Sequence, residues 1–242
     1  MRAATLRAQT RIELLLTVRR SESLLVTLAI PVGILVFFSQ VDAANTSLDD
    51  PVAFLVPGVL ALAVMSTAMV SLGIATGYER RYGVLKRLGT TPLSRSGLIA
   101  AKTLNVLLIE VVQAAVIVLV GLALGWDATI RIVPAFGILL VGTVAFAGIG
   151  ILLAGTLRAE ANLAVSNGLF LALLFLGGMA YPLDRLPGAL EVFARALPAA
   201  ALAESVRDVL AGAAFPIGSM LVLAAWAVAA PLAAVRWFRW EE

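Results

Sequence analysis

The sequence predicts an all-α polytopic membrane protein, on three observations: long apolar stretches, scarce charge, and charge distributed to one side. Of 242 residues, 61% are hydrophobic and 14% charged, with a mean hydropathy of +1.01. A soluble domain of this size is about half apolar and about a quarter charged. A spanning helix needs roughly 20 mostly apolar residues. Six stretches qualify or come close: Leu24–Val41, Phe54–Thr76, Thr103–Leu124, Ile132–Leu157, Leu163–Met179 and Phe215–Val235. The fifth is short alone and extends with Ala161 and Asn162 or with Ala180 and Tyr181. No internal repeat or linker divides the chain, so residues 1–242 read as one membrane domain with both termini on the same side.

Before the first span, residues 1–22 read as a helix lying on or entering the membrane surface. Its apolar positions Leu6, Ile12, Leu14, Leu15, Leu16 and Val18 form no single clean stripe. Residues 24–38 followed by Val41-Asp42-Ala43 also have the form of a cleaved signal sequence, but the long, mixed-charge segment ahead of them (Glu13, Glu22) argues for a retained span. Orientation follows from the bases. Arg2, Arg7, Arg11, Arg19, Arg20, Arg80, Arg81, Lys86, Arg87, Arg95, Lys102, Arg158, Arg236 and Arg239 fall on one face, against Arg131, Arg185, Arg195 and Arg207 on the other. The loop Asp42–Pro51 carries three acids and no base. The positive-inside rule makes the first face cytoplasmic, and Trp237, Phe238 and Trp240 suit an interfacial belt there. Sixteen of the 18 bases are Arg and Ala is abundant, which fits a GC-rich bacterial genome.

Composition also excludes chemistry. The chain has no Cys and no His, which removes disulfides, thiol nucleophiles, Cys/His metal sites and the commonest general base. A pI near 9.8 accompanies a net charge of only +3, and the bases cluster beside apolar spans, so topology accounts for them without a nucleic-acid partner. A phosphate-binding loop needs Gly-x-x-x-x-Gly-Lys-Ser/Thr; no Gly-Lys pair occurs, and Gly83 to Gly89 is followed by Thr90. ATP, if used, is hydrolysed by another chain. With no paired carboxylates near one span, a membrane enzyme lacks the usual reacting groups.

Residues 77–94 form a charged island after the second span. Tyr78, Tyr82, Leu85 and Leu88 or Gly89 fall on one helical face, with Arg80 and Arg87 on another. Gly89 is positioned as a C-cap, and Thr91-Pro92 stops continuation. The residues alone allow a short helix below the membrane or a solvated connector whose charges only set topology. The Arg pair could equally bind anionic lipid headgroups.

The order of residues here, Glu79-Arg80-Arg81-Tyr82-Gly83-Val84-Leu85-Lys86-Arg87-Leu88-Gly89-Thr90-Thr91-Pro92-Leu93-Ser94, resembles the segment after the second span of ABC type 2 transporter membrane subunits, including exporters of the daunorubicin-resistance type. A second match follows the fifth span: Gly177-Gly178-Met179-Ala180-Tyr181-Pro182, Leu186-Pro187, Leu197-Pro198 and Glu204-x-x-Arg207 before Gly212. The resemblance covers nearly the whole chain and says nothing about the substrate. It implies a coupling helix at roughly Gly77–Leu88 that docks on a separate ATPase subunit, with Glu79, Arg80, Tyr82, Leu85 and Leu88 as contacts. It implies two copies of that ATPase, which hold the ATP and Mg, and a second permease copy or a related subunit. It also favours a re-entrant hairpin over residues 182–214, marked by Tyr181, Pro182, Pro187, Pro198 and Arg207, rather than a loop on the outer surface.

Within the spans, Glu110 is the one carboxylate well inside the bilayer, about 10 Å deep if the third helix enters near Thr103. Gln113 shares its side, and Asn105 lies nearer the cytosol. These residues line a translocation path or dimer seam, or else Glu110 is satisfied between helices. Asn162, Ser166 and Asn167 pose the same choice, with helix-to-helix hydrogen bonding favoured. Gly73-x-x-x-Gly77 and Gly121-x-x-x-Gly125 permit close helix approach, but glycine is common in spanning helices and the pattern does not by itself make a dimer seam. The expected function is the permease of an ATP-driven exporter of lipid-like or amphipathic drug-like molecules in a bacterial plasma membrane. The alternative is a proton-coupled carrier using Glu110, although such carriers usually show internal repeats.

Overall fold

The computed structural model describes residues 3–19, 21–40, 51–91, 94–127, 131–179 and 182–240, and these form helices joined by short turns, with no strand among them. The Asp42–Pro51 loop up to residue 50, the Val41–Ala43 signal reading, Arg2, Arg20, Pro92, Leu93, Ala180 and Tyr181 lie outside the described residues. Among the described residues five helices are long and apolar enough to cross a bilayer: Pro51–Arg81, Arg95–Ala123, Val133–Thr156, Ala159–Leu176 and Ile217–Trp237. The remaining expected span is α2 (Ser21–Gln40), whose continuous apolar part is Thr27–Gln40. The chain is an all-α polytopic membrane protein.

The second span differs most from its expected bounds of 54–76. It runs unbroken as α3 (Pro51–Val64), a π-helical segment (Met65–Ser71) and α4 (Leu72–Arg81). Its 31 residues reach about 45 Å at 1.5 Å per residue, so the basic end projects beyond a hydrocarbon core of ~30 Å. The third span, α6 (Arg95–Ala123), also starts earlier than Thr103. Ser94 caps it, its hydroxyl accepting from the Gly97 N–H at 3.1 Å.

Helix α7 (Ile132–Thr156) is the hub, packed by α4 and by two later helices, α10 (Pro198–Leu210) and α11 (Ile217–Trp237). Its contact with α4 is made by backbone. A Cβ on Gly73 would sit 3.0 Å from the Gly150 carbonyl oxygen, so only paired glycines allow this approach. Gly77 faces Asn162, and Gly121 faces Val56. Gly73, Gly77 and Gly121 therefore serve packing within the chain, whereas Gly125 (φ 91°) is a turn residue with open space beside it.

The last span, α11 (Ile217–Trp237), follows α7 back to the basic end. There Phe238 is buried against Gly155 and stacks edge-on to Trp240 at 5.5 Å, while Trp237 is exposed. The expected aromatic belt is thus divided, with Phe238 in the core. At the other end, α8 (Ala159–Leu176) leads through a 3-10 turn (Leu183–Arg185) into α9 (Gly188–Arg195) and α10 (Pro198–Leu210). Pro198 at the first position starts α10 without losing a needed N–H. Ala199 to Ala203, Val206, Val209 and Leu210 are buried against the bundle, whereas α9 exposes Val192 and Phe193. At 13 residues, about 20 Å, α10 enters the bundle but is too short to cross it.

The N-terminal helix α1 (Ala3–Arg19) lies along α6. It turns its polar residues inward: Gln9, Thr10 and Glu13 are buried while Ile12, Leu15 and Leu16 are exposed. That inversion explains why no apolar stripe reads from its sequence as a core-facing one.

Candidate functional site

At the basic end the chain leaves the second span by a break, not by a separate helix over residues 77–88. Helix α4 ends at Arg81, Tyr82 caps it, and Gly83 adopts φ 73° before the short helix α5 (Val84–Gly89). A left-handed residue strongly favours glycine, so Gly83, not Gly89, is the conformational stop. The break separates the expected apolar face. Tyr78 and Tyr82 stack at 6.2 Å, and Tyr82 is 71% exposed. Leu85 points the other way into the core and is fully buried, with Leu88 half-buried against it. Exposed positions are Arg81, Tyr82, Val84, Lys86 and Arg87. A groove of ≈480 Å³ runs beside them, lined by Ile74, Ala75, Tyr78, Glu79, Tyr82 and Val84 among others.

Three consecutive residues just before the break each grip a different helix. Glu79 Oε2 accepts from Lys102 Nζ at 2.7 Å, on α6. Lys102 also reaches Glu13 on α1 at 3.1–3.2 Å, and Gln9 Nε2 donates to Glu13 Oε1 at 3.0 Å. Arg80 is buried and donates to the carbonyls of Ala154 (2.6 Å) and Leu157 (3.0 Å), two of the orphan carbonyls at the end of α7. Arg81 pairs with Glu160 in the first turn of α8. Lys102 is 1% exposed, and a charge that deep is tolerable only with both carboxylates in place.

Deeper in the bundle, Gln113 bridges two helices: Thr67 Oγ1, in the π segment, donates to its Oε1 (3.1 Å), and its Nε2 donates to the Thr27 carbonyl of α2 (3.0 Å). Asn105 is buried beside Glu79 and Lys102 in a pocket of ≈80 Å³. Glu110 is buried against α7, where Thr143 donates to its Oε2. Asn162 Nδ2 donates to the Gly73 carbonyl at 2.9 Å, a bond from α8 to α4, and Ser166 donates to Asn162 Oδ1 at 3.1 Å from the next turn of α8 itself.

The ABC-2 type transporter family model matches residues 5–211. The chain belongs to that family. The match starts inside α1 and ends one residue past α10, so it takes in the α4–α5 break, the buried polar residues of the bundle and the α9–α10 hairpin. The chain matches no curated protein.

In this ABC-2 permease the far end is organised by Arg207. Its guanidinium lies 4.0 Å over the Phe54 ring, in cation–π contact, and donates to the Gly178 carbonyl at 2.8 Å. That carbonyl belongs to the Gly177-Gly178 turn, with Gly178 at φ 62°. Burial pushes the neighbouring Asp208 carboxyl upward, opposed by Arg207. Arg195 clasps Glu191 and Glu204 at 2.9–3.0 Å, and Ser219 on α11 donates to Glu204 at 3.2 Å. Pro182 and Arg207 border the same open basin of ≈700 Å³, whereas Pro187 and Pro198 start α9 and α10. Nothing in the sequence marks Lys102, Glu13, Thr143 or Thr67 as partners. Lys102 and Glu13 are 89 residues apart, and only the packing of α1 on α6 joins them.

Proposed function

We propose that this ABC-2 permease is the membrane-spanning subunit of an ATP-driven exporter of lipid-like or amphipathic drug-like molecules, with its basic end and both termini in the cytoplasm of a bacterium. Two copies of a separate ABC ATPase hold ATP and Mg beneath it, and a second copy or a related permease completes the membrane unit. The carrying observation is the triple grip of Glu79, Arg80 and Arg81 on α6, α7 and α8, set directly behind an exposed knuckle at Tyr82–Arg87. The division of labour is physical. Tyr82, Val84 and Arg87 present an aromatic, apolar and cationic surface of the kind that anchors interfaces. Glu79, Arg80 and Leu85 face inward and convey the knuckle's displacement to the bundle. The α9–α10 hairpin, its α10 limb buried, closes the outer end of the path.

The test uses the permease co-purified with its ATPase. Tyr82→Asp combined with Val84→Asp lowers transport-coupled ATPase activity about tenfold or more, the loss of ~1.4 kcal/mol or more at one docking anchor, without lowering the melting temperature. Normal coupling in that variant removes the docking surface. Transport without any ATPase would replace the exporter with a gradient-driven carrier. Leu85→Asp is no test of docking, because Leu85 is fully buried and its loss reads out as unfolding.

A further inference from the structure

The cleft between α6 and α7 at Glu110 holds an unmet demand for hydrogen. Glu110 is 7% exposed, and its Oε1 is buried without a hydrogen-bond partner. Its Oε2 meets only the Thr143 hydroxyl, which also lies 2.9 Å from the Leu139 carbonyl. A hydroxyl has one hydrogen, so Thr143 cannot supply both acceptors at once. Among the described residues no base lines the cleft. The bases on α6 are Arg95 and Lys102, and Lys102 is held by Glu13 and Glu79. Gln113, also in the lining, is engaged with Thr67 and Thr27.

The shape of the cleft sets the size of what could answer that demand. Its inner space is ≈30 Å³, room for one or two water-sized groups. The whole cleft measures ≈380 Å³ with its open mouth. Val111, Phe136 and Leu140 border it and are exposed on the side of the bundle, so the mouth opens laterally, where hydrocarbon would lie. A carboxyl at the bottom of an apolar slot needs a small donor, is best matched by positive charge, and accepts an alkyl chain behind it.

We propose that this cleft is a lateral binding site for an amphiphile carrying a primary ammonium head, which reaches Glu110 from the bilayer while its hydrocarbon lies between α6 and α7. The ammonium brings three N–H donors and the compensating charge. A quaternary ammonium brings charge without donors and is too large for the inner space, and a phosphate or sulfate head is repelled. That the occupant is cargo rests on the exporter reading; that it binds does not.

The experiment uses the full-length chain in phosphatidylcholine nanodiscs, whose lipid has no N–H donor. Dicyclohexylcarbodiimide, an apolar reagent that adds to carboxyl groups reached from lipid, labels Glu110, and peptide mass spectrometry locates the adduct; Glu110→Gln lacks it. Dodecylamine at ten times its Kd cuts labelling roughly tenfold, as mass action requires, with no Glu110 dodecylamide (the product of amine attack on the activated carboxyl) appearing in its place, whereas dodecyltrimethylammonium does not protect. Protection by added phosphatidylethanolamine supports the site and identifies membrane lipid as an occupant. No adduct at Glu110, or equal protection by the two amines, overturns the site, and neither result depends on a variant folding. In the complex with its ATPase, dodecylamine stimulates coupled hydrolysis; protection without stimulation overturns the cargo role alone, and failure of coupling in the Tyr82/Val84 variant leaves the labelling result untouched.

Discussion

Lys102 is where a single side chain carries the most structural consequence. Its ammonium is 1% exposed and bonded to carboxylates from α1 and α4. Removing one partner of a buried ion pair typically costs about 3–5 kcal/mol, so Lys102→Met, which strands two carboxylates, destabilises more than Glu13→Gln. Thermal unfolding of the purified chain in detergent ranks the two. Arg80→Ala leaves two α7 carbonyls without their charged donor and costs about 1.5–3 kcal/mol for each such bond. The Arg81–Glu160 pair, with side chains 44% and 61% exposed, contributes less than about 1 kcal/mol, so Arg81→Ala barely moves the melting temperature. Such rankings were not legible in the sequence. Charge at positions 79–81 reads equally as solvated, membrane-bound or interfacial, and only the approach of α6, α7 and α8 decides that two of the three face inward.

Among the elements, the knuckle between α4 and α5 turns on Gly83. A Cβ there would meet nothing within 4 Å, so Gly83→Ala isolates the cost of a left-handed residue at φ 73°, about 1–2 kcal/mol. Because the same residue sets the angle at which Tyr82 and Val84 are displayed, ATPase coupling falls more than stability does, a difference read by comparing melting temperature with coupled hydrolysis in one variant. The periodicity Tyr78, Tyr82, Leu85, Leu88 assumed one helical register across residues 77–88, and a single positive φ defeats that assumption. The helical spans were legible because lipid enforces them: every backbone group must be paired internally, and apolar length follows from bilayer thickness. Their ends were not. Apolarity stops at Thr76, yet helix continues to Arg81, since Glu79, Arg80 and Arg81 have partners on other helices. At residues 182–214, that α10 is buried while α9 exposes Val192 and Phe193 is likewise set by packed neighbours and not by sequence.

For the whole molecule, the 14 bases assigned to one face and four to the other make orientation a checkable quantity. The chain has no cysteine, so each introduced thiol reports alone. Val192→Cys, 73% exposed on α9, reacts with a membrane-impermeant maleimide in intact cells. Arg87→Cys, in the exposed knuckle, reacts only after permeabilisation; the reverse pattern inverts the topology. One feature of the second span also bears on how the two ends of the molecule are joined. Each π turn encloses one more residue than an α turn, so Met65–Ser71 works as a phase shifter within the rod. If that segment tightened to α-helix, the half bearing Glu79 would rotate against the half that packs on α10 by about 100°, the angle of one residue. Such a turn would swing Glu79 away from Lys102 while α3 stayed seated against α10, making the span a crank rather than a strut.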